Sequence, residues 1–364
     1  MKKEAEESKN LNLAAIRKKL IGWYSLHKRD LPWRWTQDPY HIWLSEVILQ
    51  QTRVAQGLSY YNSFIRQYPS VCHLAAAPEN EVMKLWQGLG YYSRARNLHT
   101  TAKVICDRYN GVFPSDYKTI LSLKGIGQYT AAAIASFAYG MPVATVDGNV
   151  YRVLSRLFAI DTPIDSTEGK KLFALLADKL LNKENPGEHN QALMEFGALQ
   201  CTPTSPQCID CPLEGLCLSR AGNDVLCYPV KQGKAVVKPR FFNYFDVRCN
   251  GNIFLHKRAG NDIWRNLYEF PLIETPSYMP LNELMQTNPF EIMFADAGAG
   301  AFRKEFSVKH VLSHQIIHAN FYSVNIENDK YFTENYLSTP IENIDQYPVP
   351  RLIHKYLEKK EEIK

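Results

Sequence analysis

An all-helical unit followed by a mixed α/β unit is the fold this sequence predicts, and three observations predict it. The length of 364 residues suits two domains at about 150 residues each. Up to Leu226 the apolar residues recur at three- and four-residue spacing, the period of a helix with one buried face. Beyond Pro239 the texture changes to alternation, the period of strands. With 45% hydrophobic and 22% charged residues, each unit can bury a core and neither reads as disordered.

The elements follow in order. Helical periodicity covers Leu13–Leu26, Tyr40–Leu49, Val82–Trp86, Leu98–Ile105 and Leu172–Leu181. Asp38-Pro39 supplies an N-cap and a first-turn proline, and Pro114-Ser115 opens another helix. Residues 227–239, with two prolines, three lysines and one glycine, read as a linker. Strands are expected at Phe241–Arg248, Asn252–His256 and Ile316–Val324. A helical piece at Pro350–Leu357 precedes a solvated Lys359-Lys360-Glu361-Glu362 tail.

Several classes are excluded. The most apolar stretch, Ala131–Val146, is broken by Gly140 and Pro142, well short of the ~18–20 uninterrupted apolar residues of a membrane span. Met1–Glu7 lacks an apolar export core, so a cytoplasmic protein without a membrane partner is expected. The net charge is +5, with 25 basic against 21 acidic residues up to Leu226 and 17 against 16 beyond. That excess suits a DNA-binding face without demanding one. Of 8 cysteines, four crowd between Cys201 and Cys217. Cys72, Cys106, Cys227 and Cys249 stand alone and read as small core residues.

An internal repeat runs Gly-apolar-Gly-x-Tyr-Ser/Thr-x-Ala, at Gly88–Ala95 and Gly125–Ala132. The Gly125-Ile126-Gly127 turn fits a helix-hairpin-helix, whose glycines admit a close backbone approach and whose second helix turns free N–H groups toward a phosphate. Such contacts position DNA without reading its sequence. A plain tight turn between packed helices is the competing reading. Two carboxylates follow. Glu46 is the only formally charged residue between Asp38 and Arg53. Desolvation there raises its pKa and readies it as a general acid, unless it is a buried acid held by a structural hydrogen bond. Asp147, in Thr145-Val146-Asp147-Gly148-Asn149-Val150, can serve chemistry, cap a helix, or do both.

The cysteine pattern Cys201-x6-Cys208-x2-Cys211-x5-Cys217 is the most specific signal. Structural zinc usually pairs two short knuckles across a longer loop. One knuckle with two unequal arms suits the single wrap of a [4Fe–4S] cube, with zinc as the alternative and a disulfide pair a distant third.

Taken together, these motifs resemble the endonuclease III-like DNA glycosylases. Arg29-Asp30-Leu31-Pro32-Trp33-Arg34, Ser45–Thr52 and Gly88-Leu89-Gly90-Tyr91-Tyr92 narrow the likeness to the MutY-type adenine DNA glycosylases. The resemblance implies that adenine mispaired with 8-oxoguanine or guanine in double-stranded DNA is flipped out and cut from its sugar. In that scheme Glu46 supplies the proton and Asp147 stabilises the sugar cation. Trp33, Arg34 and Tyr129 line the adenine pocket. Gln51 and Tyr91 enter the base stack, and Gly125 and Gly127 hold the backbone. The four cysteines would hold a [4Fe–4S] cluster. Tyr129 stands where bifunctional relatives carry a lysine nucleophile; a phenol cannot form an imine, so a monofunctional enzyme is implied.

The second unit is similar to a Nudix-like recognition module through Trp264–Pro271. No glutamate-rich helix follows, so pyrophosphate hydrolysis is not expected. Leu312-Ser313-His314 falls at the loop that senses 8-oxoguanine, with Leu in place of the usual Phe, leaving Ser313 and His314 as the reading groups. Without that likeness the pair reads as a polar strand end. Residues 202–207 of the cysteine loop carry no Lys or Arg, so DNA contact there is expected to be either weaker than in relatives or borne by Arg220. The expected layout is a glycosylase domain over 1–226 with its cluster loop at 201–217, a linker over 227–239, and a Nudix-like domain over 240–364. The whole is expected to be a monomer that joins the nucleoid when bound to DNA. An endonuclease III-type glycosylase/lyase for oxidised pyrimidines and a non-enzymatic iron–sulfur DNA-binding protein are the competing functions.

Overall fold

The computed structural model describes residues 12–233 and 237–362. The Met1–Glu7 segment that bears on export, and part of the expected linker, lie outside the described residues. Contacts divide the chain into two units, Met1–Ala75 with Thr100–Gly233, and Ala76–His99 with Lys234–Lys364.

In the first unit, helix α1 (Leu13–His27), capped by the Asn12 side chain, begins the chain. A short 3-10 turn (Pro32–Arg34) leads to α2 (Pro39–Leu49), where Asp38 caps the Tyr40 N–H at 2.8 Å. There follow α3 (Val54–Gln67) and α4 (Val71–Ala76). Helix α5 (Glu79–Leu85) belongs to the second unit, and α6 (Ser93–Tyr109) returns the chain to the first. The helix expected from Pro114 starts later, as α7 (Tyr117–Ser122), because Asp116 is the residue whose side chain caps it. Next come α8 (Gln128–Tyr139), α9 (Gly148–Leu157), α10 (Thr167–Leu180), α11 (Pro186–Leu199) and α12 (Leu218–Ala221).

Helix α11 packs on α1, α8 and α9, while α2 packs on α3 and α8. Trp23, Leu154, Phe173, Leu193 and Phe196 form one core between α1, α9, α10 and α11. Phe196 is 2% exposed and meets Trp23 edge-on at 5.0 Å. Cutting it to Ala should cost ~3–5 kcal/mol in lost burial and cavity. Helix α2 is buried almost all round, Glu46 included. An acid there is largely withdrawn from solvent, at 7% exposed.

The second unit is built on a sheet of order β3-β2-β1-β6-β5. Strand β1 (Lys238–Cys249) runs parallel to β6 (Gln315–Asn325) over their full length, and β5 (Arg303–Val311) pairs antiparallel with β6. Strands β2 (Asn252–Lys257), β3 (Tyr268–Glu269), β4 (Leu272–Thr275) and β7 (Leu337–Pro340) complete it. Lys238 and Pro239, read in sequence as linker, already belong to β1. Helices α13 (Leu281–Leu284), α14 (Asn288–Phe294) and α15 (Lys330–Asn335) follow, the last two closing an aromatic core of Phe245, Phe254, Phe290, Phe294 and Phe332.

Helix α16 (Arg351–Glu362) corrects the tail reading. Tyr356 stacks on Phe321 at 4.5 Å and donates to buried Asp246 at 2.7 Å. Lys360 pairs with that same carboxylate. A buried acid two strands away, invisible to local sequence, draws the lysine in. The cysteine reading is corrected as well. Cys72 and Cys106 form a disulfide, with Cα atoms 5.7 Å apart, because α4 and α6 bring together residues 34 positions distant. Cys249 is buried, as a core residue should be, whereas Cys227 is exposed.

Candidate active site

Glu46 sits on the middle of α2 and accepts a hydrogen bond from the Tyr129 hydroxyl, on the first turn of α8, at 2.5 Å. Burial raises the Glu46 pKa to about 7, helped by the Asp147 charge and opposed by the Tyr129 hydrogen bond and Arg34. A carboxyl at that value holds or releases a proton near neutrality. The Tyr129 phenol is held well above its ordinary pKa by burial and by Glu46. It remains a neutral donor.

Asp147 is the N-cap of α9. Its Oδ1 accepts from the Val150 N–H at 2.8 Å, and its Oδ2 accepts from Asn149 Nδ2 at 2.7 Å. The capping reading is therefore met, and it does not compete with chemistry, because the carboxylate still lines the cavity. Burial raises its pKa while the two hydrogen bonds and Arg152 favour the ionised form. Arg152 in turn donates to Asn149 Oδ1 at 2.8 Å and to the Gly197 carbonyl at 2.6 Å, fixing the support from behind.

Both carboxylates line one cavity of about 960 Å³ in the first unit, together with Trp33, Arg34, Gln51, Tyr129 and Met194. Trp33 is buried, its ring edge-on to Tyr61 at 5.1 Å. Gln51 is exposed at the rim with a positive φ of 58°. Six of the residues singled out in the sequence thus meet in one place.

Sequence reasoning missed the residue that orders the arginines. Glu195, on α11 and 2% exposed, accepts from Arg29 Nε and Nη2 at 2.8 and 2.6 Å and from Arg34 Nη1 and Nη2 at 3.0 and 2.7 Å. Burial alone would raise its pKa, but these hydrogen bonds outweigh it and bring it down to about 2. The only hint in sequence was two arginines beside a pocket, which need a counter-charge.

The hairpin turn is exposed on both glycines, with Ile126 buried between them. Gly125 has φ 79°, which favours glycine. A Cβ on Gly127 would meet nothing within 4 Å. Internal packing therefore does not demand glycine there. Four free thiols, Cys201, Cys208, Cys211 and Cys217, surround one apolar pocket with Val153, Leu157 and Phe196. Among the described residues no group of His, Cys, Asp or Glu is drawn tightly enough to hold a single metal ion. Four cysteine thiols around one pocket are the donor set a [4Fe–4S] cube takes. Arg220, the basic residue expected to reach phosphate, pairs with Glu214 at 3.2 Å.

In the second unit, Tyr91 stands half-exposed on a turn with φ 47°. Ser313 and His314 form the exposed tip between β5 and β6, with Ser313 Oγ 3.1 Å from His314 Nδ1. That tip is a strand end, as the plainer reading had it, and both side chains are exposed. No helix among the described residues is long and apolar enough to cross a membrane.

Known proteins bear on this geometry. Residues 44–178 match the family described as HhH-GPD superfamily base excision DNA repair protein, and residues 243–359 match the NUDIX domain. An adenine DNA glycosylase of Buchnera aphidicola subsp. Baizongia pistaciae is 34% identical over 321 residues, covering 87% of this chain and 88% of the relative. The human adenine DNA glycosylase is 43% identical over 217 residues, 57% of this chain and 40% of that protein. Among solved structures, a thermostable thymine-DNA glycosylase superposes with a TM-score of 0.54 at 30% identity, over 58% of this chain and 97% of that one. Buried acid, capped second carboxylate, exposed hairpin and near full-length likeness agree, and the chain belongs to the adenine DNA glycosylase family of the HhH-GPD superfamily.

Proposed function

We propose that this adenine DNA glycosylase hydrolyses the N-glycosidic bond of adenine mispaired with 8-oxoguanine or guanine in duplex DNA, without cutting the strand itself. The observation that carries the reading is Glu46, buried and poised near pH 7 on the wall of a cavity it shares with Asp147. Adenine leaves poorly as an anion. Glu46 gives a proton to a ring nitrogen as the bond to the sugar breaks, and the bonding pair departs with the base. The sugar is left with oxocarbenium character, which the Asp147 carboxylate stabilises by its field or by transient attack. Water then adds at that carbon and gives its proton to the Glu46 carboxylate, which restores the acid. Two carboxylates dividing the labour follows the logic of glycoside hydrolysis.

Tyr129 occupies the hairpin position where a lysine would attack the sugar. Its hydroxyl is committed to Glu46, which supports a monofunctional enzyme. Arg34 and Trp33 would border the flipped base, Gln51 and Tyr91 would enter the gap in the stack, and the hairpin at Gly125 and Gly127 would hold a phosphate. Ser313 and His314 suit the opposite base, because 8-oxoguanine differs from guanine by an oxygen at C8 and a hydrogen on N7. Cys201, Cys208, Cys211 and Cys217 would hold a [4Fe–4S] cluster, which when bound would cross-link the loop.

Glu46→Gln tests the assignment. The amide keeps the shape but has no acidic proton, so DNA affinity should persist while single-turnover excision falls at least a hundredfold. Excision within a few-fold of the unaltered protein would refute the role.

A further inference from the structure

The turn Gly88–Tyr91 belongs to the second unit by its contacts, and the details say how. The Tyr92 hydroxyl donates to the carbonyl of Val349 at 3.2 Å, and the Val349 N–H donates to Gln87 Oε1 at 3.2 Å. Side chains on both flanks of the turn thus grip one buried backbone unit just ahead of α16. Around this grip, Asn266 Nδ2 donates to Glu79 Oε1 at 2.5 Å and Arg96 Nη1 donates to the Arg265 carbonyl at 2.7 Å.

The turn itself is preformed. Gly88, Gly90 and Tyr91 all have positive φ, at 101°, 71° and 47°. Trp86 Nε1 donates to the Gly90 carbonyl at 3.0 Å, and Arg94 lies over both the Trp86 and Tyr91 rings at 5.1 and 5.6 Å. What remains outside is the Tyr91 ring, 46% exposed. A shaped turn fixed to the sheet unit and presenting one aromatic ring is a built device.

We propose that Gln87 and Tyr92 are positioning residues that lock the Tyr91 turn to the Val349 backbone, so that stack insertion and reading of the opposite base are performed by one body, the unit that carries Ser313 and His314. Tyr91 then moves with the lesion-reading tip. Insertion beside a base that the tip accepts is favoured, and discrimination is gained without any direct contact from Gln87 or Tyr92. This rests on the lesion-reading assignment made above for Ser313 and His314.

The test uses the full chain with Tyr92→Phe, Gln87→Leu, Ser313→Ala/His314→Ala, and the combination of all four changes. Single-turnover excision is measured for adenine opposite 8-oxoguanine and opposite guanine. Loss of the clamp hydrogen bonds should lower the ratio of the two rates about tenfold, with the rate opposite guanine changed less than twofold. The combined variant should lose no more than the larger single effect, since both pairs act through one body. Equal loss on both substrates would overturn the clamp, as would an unchanged ratio in Tyr92→Phe and Gln87→Leu while Ser313→Ala/His314→Ala abolishes it. An unaltered protein with no preference between the substrates would instead refute the lesion-reading assignment, and the clamp with it.

Discussion

The Tyr129 hydroxyl and the Glu46 carboxylate, 83 residues apart in sequence, meet at 2.5 Å across the α2–α8 packing. The bond holds Glu46 in place and moderates a pKa that burial alone would push above about 7. An acid must be protonated to act yet able to give its proton away, and this pairing provides both conditions.

The pH dependence follows. Excision needs protonated Glu46, so each pH unit above about 7 should cost about tenfold in the single-turnover rate. Stability runs the same way. Between the ordinary carboxyl pKa of 4.5 and about 7 the folded state keeps a proton that the unfolded state has lost, so raising the pH destabilises the fold. Glu46→Gln removes the effect. It should be more stable than the unaltered protein at pH 8 by up to about 3 kcal/mol, the difference vanishing below pH ~4.5. Urea titrations at pH 8 and pH 4 check the sign.

Tyr129→Lys places an amine where the hydroxyl touches Glu46. It should gain strand-cleaving activity through an imine, trapped on DNA by borohydride. Excision without any trapped adduct would mean that this position does not face the sugar carbon.

Glu195→Gln should cost about 2–3 kcal/mol at pH 7, below the full cost of a broken buried pair because Arg29 is 35% exposed. The contribution of Glu195 is present above its ordinary pKa of 4.5 and is lost as pH falls through about 2. With Arg34 released, excision should also fall about tenfold or more through misplacement of the base. Unchanged excision would show that Arg34 needs no anchor.

Cys208→Ser should lower iron bound per chain and DNA affinity together, with little change in helical content by circular dichroism. Anaerobically purified protein should be yellow-brown. Stoichiometric zinc with no iron would exclude the cluster.

Much of the site was legible because its chemistry violates its surroundings. Glu46 is the sole charge in an apolar helix, and the four cysteines crowd one loop. Local rules also placed the helix at Asp38-Pro39 and the strands around Phe241 and Ile316. Long-range pairings were not legible. Glu195 looks like any polar residue of an amphipathic helix until α11 packs against the Pro32–Arg34 turn. Lys360 reads as solvated until β1 brings Asp246 beneath it, and Cys72 meets Cys106 only through helix packing. The assignment of residues 76–99 to the sheet unit has the same origin, since its contacts lie more than 150 positions away along the chain.

The most direct test of the central claim is incubation of the protein with end-labelled duplex carrying adenine opposite 8-oxoguanine, analysed with and without alkali. Free adenine should be released, with strand breaks at that adenine only after alkali, and Glu46→Gln should abolish both. Cleavage without alkali at oxidised thymine, or binding with no base released, would contradict the account.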